Sequence, residues 1–168
     1  MTVKNRKNKQ ILAIFPAVCY HKEKGVISMK ILVSACLLGE NCKYNGGNNL
    51  RQQVLAMGQE HELIPVCPEV AAGLGIPRIP IEIRDGEVVR SDGVSVDDAI
   101  RAAVSDILAK LPQDIELCIL KARSPTCGVH QIYDGSFTGT LTDGMGVLAR
   151  ALKDAGYRVV DDEELTQS

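Results

Sequence analysis

The chain has no tryptophan and only two phenylalanines and four tyrosines in 168 residues. Aromatic platforms of the kind that stack single-stranded nucleic acid are therefore scarce. An excess of one charge is missing as well. With 19 basic and 21 acidic residues the net charge is −2, so no bulk field draws the protein to nucleic acid or an anionic membrane. No apolar run approaches the roughly 20 residues that span a bilayer. There is no internal repeat and no low-complexity segment. Close Cys-x-x-Cys pairs, the usual framework of a zinc site, are also lacking. What remains is ordinary globular material, 45% hydrophobic and 24% charged, on a chain long enough for one full core and too short for two.

There are six cysteines, Cys19, Cys36, Cys42, Cys67, Cys118 and Cys127. An even count could indicate disulfides, but ample core material and the absence of a small, loop-rich secreted pattern favour reduced thiols in a cytoplasmic protein. Residues 1–28 stand apart. Basic residues precede a short apolar run, Ile11 to Val18, and then Cys19, an order that superficially resembles a signal peptide. Pro16 interrupts that run, and Val18 occupies the place of the small residue that should precede cleavage. The domain is expected to occupy residues 29–168, with 1–28 as an upstream extension.

From Met29 the chain alternates between apolar strands and helical patterns. Lys30–Ser34 reads as a buried strand, and Asn48 or Asn49 can cap a helix running to about Gly58. Glu62–Val66 is a second strand, with Pro68 opening a short helix over Glu69 to Leu74. Ile81–Ile83 and Val88–Val89 flank Asp85-Gly86, a hairpin signal, and the prolines Pro77 and Pro80 mark it as an excursion. Ser95 with Asp98 makes a capping-box-like start to a helix carrying Ile100, Val104, Ile107, Leu108 and Leu111, closed by Pro112. Glu116–Leu120 is a third strand, and Gln131–Tyr133 a short one. Residues 136–143 read as a loop. A last helix from Met145 to Ala155 ends at Gly156, before a strand at Tyr157–Val160 and an acidic tail from Asp161. This alternation implies a single-domain α/β fold, Rossmann-like, with a mostly parallel sheet and helices on both faces.

Three of the thiols fall where a strand gives way to a loop: Cys36 after Lys30–Ser34, Cys67 after Glu62–Val66, and Cys127 in the loop beyond Glu116–Leu120. Ligands of open α/β sheets bind outside the carboxyl ends of the strands. One strand-end cysteine can simply pack, but three at one edge suggest a site. Three thiolates suit a soft metal, zinc or iron–sulfur. Cys42 shares the Cys36 loop as a fourth ligand or a neighbouring thiol, and His130 is a further candidate. Cys118, inside a strand, reads as core.

Ser-Ala-Cys-Leu-Leu-Gly with Cys-Lys-Tyr-Asn-Gly, then Pro-Val-Cys-Pro-Glu, then Lys-Ala-Arg-Ser-Pro-Thr-Cys-Gly, taken in that order, resemble the thiouracil desulfidase family. The likeness runs from about Lys30 to Val160 and includes Gly144-Met145-Gly146-Val147. Members typically carry Arg, Asp and Ser where this chain has Lys43, Asn45 and Thr126. The resemblance implies a 4Fe–4S cluster held by Cys36, Cys67 and Cys127, with one iron free to bind the sulfur of a thiocarbonyl while water attacks the ring carbon. Such a reaction needs proton transfer, and Glu69 and Ser124 are the best-placed residues for it. In a helix first turn Glu69 would also be favoured by the dipole, and Ser124 before Pro125 can simply shape a turn. Lys121 and Arg123 could orient the substrate, a small thiolated base or nucleotide. Two other classes stay open: a cysteine-nucleophile hydrolase or transferase using Cys127 or Cys36, and a metal- or redox-sensing module in which Cys36 pairs with Cys42. Nothing in the sequence sets the oligomeric state.

Overall fold

Four apolar segments line up side by side in a computed structural model that describes residues 28–167. The strands are β1 (Lys30–Ser34), β2 (Glu62–Val66), β5 (Ile115–Leu120) and β8 (Val159–Asp161), in the order β2-β1-β5-β8 and all parallel. Pro65 cannot donate a ladder hydrogen bond, and it sits on the edge strand β2, where that loss is tolerated. Two small antiparallel pairs accompany the sheet. One joins β3 (Ile81–Arg84) to β4 (Glu87–Arg90) and the other joins β6 (Gln131–Tyr133) to β7 (Leu141–Asp143). The fold is thus mixed α/β. The 1–28 extension, with Ile11–Val18 and Cys19, lies outside the described residues apart from Ser28. Among the described residues no helix is long and apolar enough to cross a membrane.

Strand periodicity divides the core in two. Leu32, Cys118 and Leu120 pack with Ile100 and Val104 of α3 (Asp97–Lys110) and Leu148 of α4 (Val147–Asp154). Ile31, Val33 and Ile119 point the other way, towards Leu37 and Val54 of α1 (Gln52–Ala56). Cys118 is fully buried, as its place inside a strand implied.

Several boundaries differ from the sequence reading. The helix expected to start at Asn48 or Asn49 begins at Gln52 and tightens into a 3-10 turn, Met57–Gln59. The short helix after Cys67 is α2 (Pro68–Ala71) and stops before Leu74. The Ser95 capping box does not form. Val96 holds the N-cap position, while Asp97 turns its carboxylate back to accept the N–H of Val88 at 3.1 Å. Residues 136–143 are not all loop, because Leu141–Asp143 pair with β6 as β7. Three residues are too few for a two-residue period to show, so the strand exists only through its partner.

The acidic tail is also structural at its start. Asp161 closes β8, and Asp162 is 1% exposed. Asp162 accepts the N–H of Ala122 at 2.7 Å and bonds Arg51 Nε at 2.8 Å, with Lys121 Nζ at 3.7 Å. It therefore ties the end of β8 to the segment leaving β5. Asp162→Ala strands a buried N–H and should cost about 1–3 kcal/mol, lowering the melting temperature by several degrees. Asp114→Ala, which breaks only the exposed pair with Lys30, should leave the melting temperature unchanged.

Candidate functional site

Parallel pairing brings the carboxyl ends of β2, β1 and β5 to one edge, and each delivers a thiol there. Cys36 lies in a 3-10 turn, Ala35–Leu38, directly after β1, and Gly39 closes the turn with φ +91°, a left-handed conformation suited to glycine. Cys67 is the extended residue between β2 and α2. Cys127 ends a tight turn in which Ser124 Oγ accepts the N–H groups of Thr126 and Cys127 at 3.2 and 3.1 Å. All three line one cleft of about 530 Å³, together with Cys42, Glu69 and Ser124.

The Cys127 turn is set by α4. The first N–H groups of a helix have no partner within it. Here Gly146 donates to Gly128 O, Val147 to Pro125 O and Leu148 to Thr126 O, at 2.8, 3.1 and 2.8 Å. This approach is so close that a Cβ on Gly146 would lie 2.4 Å from the Thr126 carbonyl carbon.

Hydrogen bonding tunes the thiols. Cys36 is brought down to about 7, chiefly by its hydrogen bond with Cys42 and also by Asn49, against the opposing effect of burial. Cys67 is likewise lowered by Cys42. Cys42 moves in the opposite direction because it is hydrogen-bonded to both, and so remains the protonated donor between two incipient thiolates. Burial pushes Cys127 up to about 12, partly offset by the Ser34 hydroxyl.

Glu69 lies on the same cleft. Its Oε2 bonds Arg78 through Nε at 2.9 Å and through Nη2, and its Oε1 accepts from Thr126 Oγ1 at 3.1 Å. Arg78 also donates to the carbonyls of Cys42 at 2.7 Å and Gly75 at 2.9 Å, fastening the Cys42 loop to α2. Nothing in the stretch around Gly75 to Pro80 singles out this arginine, because only the fold brings the Cys42 carbonyl and the Glu69 carboxylate to it. Asn49, expected as a helix cap, serves Cys36 instead. Lys121 and Arg123 reach the cleft but are paired, Lys121 with Asp162 and Arg123 with Glu163 at 2.9 Å. His130 is not brought in. Its Nε2 bonds Glu164 Oε1 at 2.7 Å on an exposed surface, and among the described residues no histidine lines the cleft.

A single zinc ion with bonds of about 2.3 Å would hold its sulfurs about 3.8 Å apart. Among the described residues, the group whose ligand atoms all lie within 4.8 Å of one another is His130, Asp161 and Glu164, and no cysteine belongs to it. Cys36, Cys67 and Cys127 do not all lie within that span of one another, and as soft thiolate donors they suit an iron–sulfur group. The model of the family described as 2-thiouracil desulfurase matches residues 31–164. The chain belongs to that family. Uncharacterized protein YbbK of Bacillus subtilis (strain 168) is 36% identical to it over 146 residues, covering 80% of this chain and 97% of YbbK. A solved structure described as the 4Fe–4S-dependent thiouracil desulfidase TudS aligns with TM-score 0.77 at 35% identity, covering 83% of this chain and 95% of that one. The cleft thiols of this 2-thiouracil desulfurase family member, Cys36, Cys42, Cys67 and Cys127, fall within the matched span.

Two outcomes follow from this geometry. Gly146→Ala forces the Cys127 turn to move and should cost about 1–3 kcal/mol in thermal or denaturant unfolding. In the cluster-free protein, Cys36 should alkylate with a midpoint near pH 7, whereas Cys118, pushed up to about 12 by burial, should stay unreactive through neutral pH. Cys42→Ala removes the donor that favours the Cys36 thiolate, so the Cys36 midpoint should rise. An unchanged midpoint in rate-versus-pH alkylation would exclude the thiol–thiolate bond.

Proposed function

We propose that the cleft houses an iron–sulfur-dependent, non-redox desulfidase. It removes sulfur from a small thiolated pyrimidine, 2-thiouracil-like, as free base or nucleotide, and gives the carbonyl base and hydrogen sulfide. One observation carries this reading: three thiols from three adjacent strand ends share a cleft with a carboxylate and a hydroxyl. The relation to a 4Fe–4S-dependent thiouracil desulfidase agrees with it. Cys36, Cys67 and Cys127 are the residues that would hold the cluster. Bound by three thiolates, a 4Fe–4S cluster supplies a soft Lewis acid with one open position, suited to polarise a C=S bond. Cys42 acts beside it as a hydrogen-bond donor.

Exchange of C=S for C=O by water changes no oxidation state and needs no oxidant or reductant. The water oxygen bonds to the ring carbon, the C–S bond breaks, and the two water protons leave with the sulfide. We assign the proton transfers to Glu69, through Oε1 on the Thr126 side, and to Ser124, through Oγ in the Cys127 turn. Groups of this kind contribute about 10²–10⁴-fold to a rate. Lys121 and Arg123 are spent on Asp162 and Glu163, and so stabilise the loop rather than the substrate. Tyr44 and Tyr133 give the cleft aromatic lining, which suits a flat ring.

The cysteine-nucleophile alternative finds a lowered thiol in Cys36 but, among the described residues, no imidazole in the cleft. Residues 29–168 are taken as one domain, with 1–28 outside it. The Rossmann-like reading is supported by α3 and α4 on one side of the sheet and by Leu37, α1 and the Met57 turn on the other. Five free thiols among the described residues suit a reducing cytoplasm.

Anaerobic reconstitution should give about four iron and four sulfide per chain, and release of sulfide from 2-thiouracil. Serine at Cys36, Cys67 or Cys127 replaces a thiolate by a harder, far less acidic oxygen, and iron content and activity should collapse together. Cys118→Ser should keep both and cost about 1–3 kcal/mol. Stoichiometric zinc without iron uptake would sink the proposal.

A further inference from the structure

Thr126, the residue before Cys127, is 1% exposed, and its hydroxyl meets three groups. Glu69 Oε1 lies at 3.1 Å, Ser124 Oγ at 3.1 Å and Cys127 Sγ at 3.6 Å. A threonine hydroxyl has one proton and two lone pairs, and a carboxylate can only accept. The carboxylate is both the nearer and the stronger acceptor, so the Thr126 proton goes to Glu69 rather than to sulfur. The contact with Ser124 must then be donated by Ser124. The Ser124 oxygen meanwhile accepts the N–H groups of Thr126 and Cys127. The bonds therefore run one way, from Ser124 O–H to Thr126 O–H to Glu69, and Arg78 holds the far carboxylate oxygen so that Glu69 cannot swing off.

We propose that Thr126 is a positioning residue for desulfurisation: its buried hydroxyl couples Ser124 to Glu69 and fixes the direction of the Ser124 proton. This rests on the desulfidase reading of the cleft. Neither the hydroxyl chain nor its direction is visible in the spacing of the motif.

The test compares Thr126→Val, which keeps the shape and removes the hydroxyl, with Thr126→Ser, which keeps the hydroxyl. Iron content, kcat and KM for sulfide release from 2-thiouracil are measured on anaerobically reconstituted protein. T126V should retain iron and a KM within about twofold while kcat falls about 10–100-fold, a part of what acid–base groups contribute. T126S should recover kcat to within about threefold. In a Ser124→Ala background T126V should add little, because coupled residues are not additive. A second readout needs no turnover. In cluster-free protein, the infrared carboxylate band identified by its loss in E69Q should shift in T126V and stay in T126S. Any of four results overturns the assignment: unchanged kcat in T126V, T126S as impaired as T126V, loss of iron in T126V, or an unmoved carboxylate band. If wild-type protein holds iron yet releases no sulfide, the desulfidase reading fails, and the infrared arm alone then judges the Thr126 bond.

Discussion

Parallel pairing of β1 with β2 and with β5 is the constraint from which the site follows. Ser34 is in register with Val66, and Val33 with Ile119, so the residues that leave these strands start side by side. Cys36 and Cys67 are two and one residues beyond paired positions, and Cys127 returns to them on a longer loop. Burying Ile31, Val33 and Ile119 on one face and Leu32, Cys118 and Leu120 on the other makes a register slip costly, since a shift of one residue would exchange the two cores. The hydrophobic core thereby sets the spacing of the thiols, and by burying Cys127 it also raises that thiol's pKa.

What the sheet leaves open, polar ties close. Asp162 anchors the segment that leaves β5, Arg78 fastens the Cys42 loop to α2, and the start of α4 holds the Cys127 turn by its backbone N–H groups. Each tie satisfies donors or acceptors that would otherwise be buried without partners, so the frame of the cleft and its stability depend on the same bonds. Cys42 adds a chemical function to this frame. As the protonated neighbour of Cys36 and Cys67 it favours their thiolates, the form in which cysteine binds metal.

The sheet strands were legible because Ile31–Val33, Glu62–Val66 and Glu116–Leu120 are apolar runs cut off by loops, and Asp85-Gly86 announces its hairpin. Convergence of Cys36, Cys67 and Cys127 was legible for the same reason, since strand ends carry their own address. Leu141–Asp143 was not, because its strand character comes from β6 across the turn. Nor was the start of α3, where Asp97 spends its carboxylate on Val88 instead of a local cap. Arg78 and Asp162 escaped notice because what they do depends on partners such as Cys42 and Arg51, which only the folded chain brings near. Thr126 was visible as a departure from the family motif, but its bond to Glu69 joins the Cys127 turn to α2, far apart in sequence.

The central claim is that three thiols hold a four-iron cluster and leave one iron for substrate. Mössbauer spectroscopy of protein reconstituted anaerobically with isotopically enriched iron tests it most directly. The account predicts one iron site of about four that is distinct from the rest and that alone changes when 2-thiouracil is added. Four equivalent irons unaffected by 2-thiouracil, or no cluster spectrum at all, would contradict it.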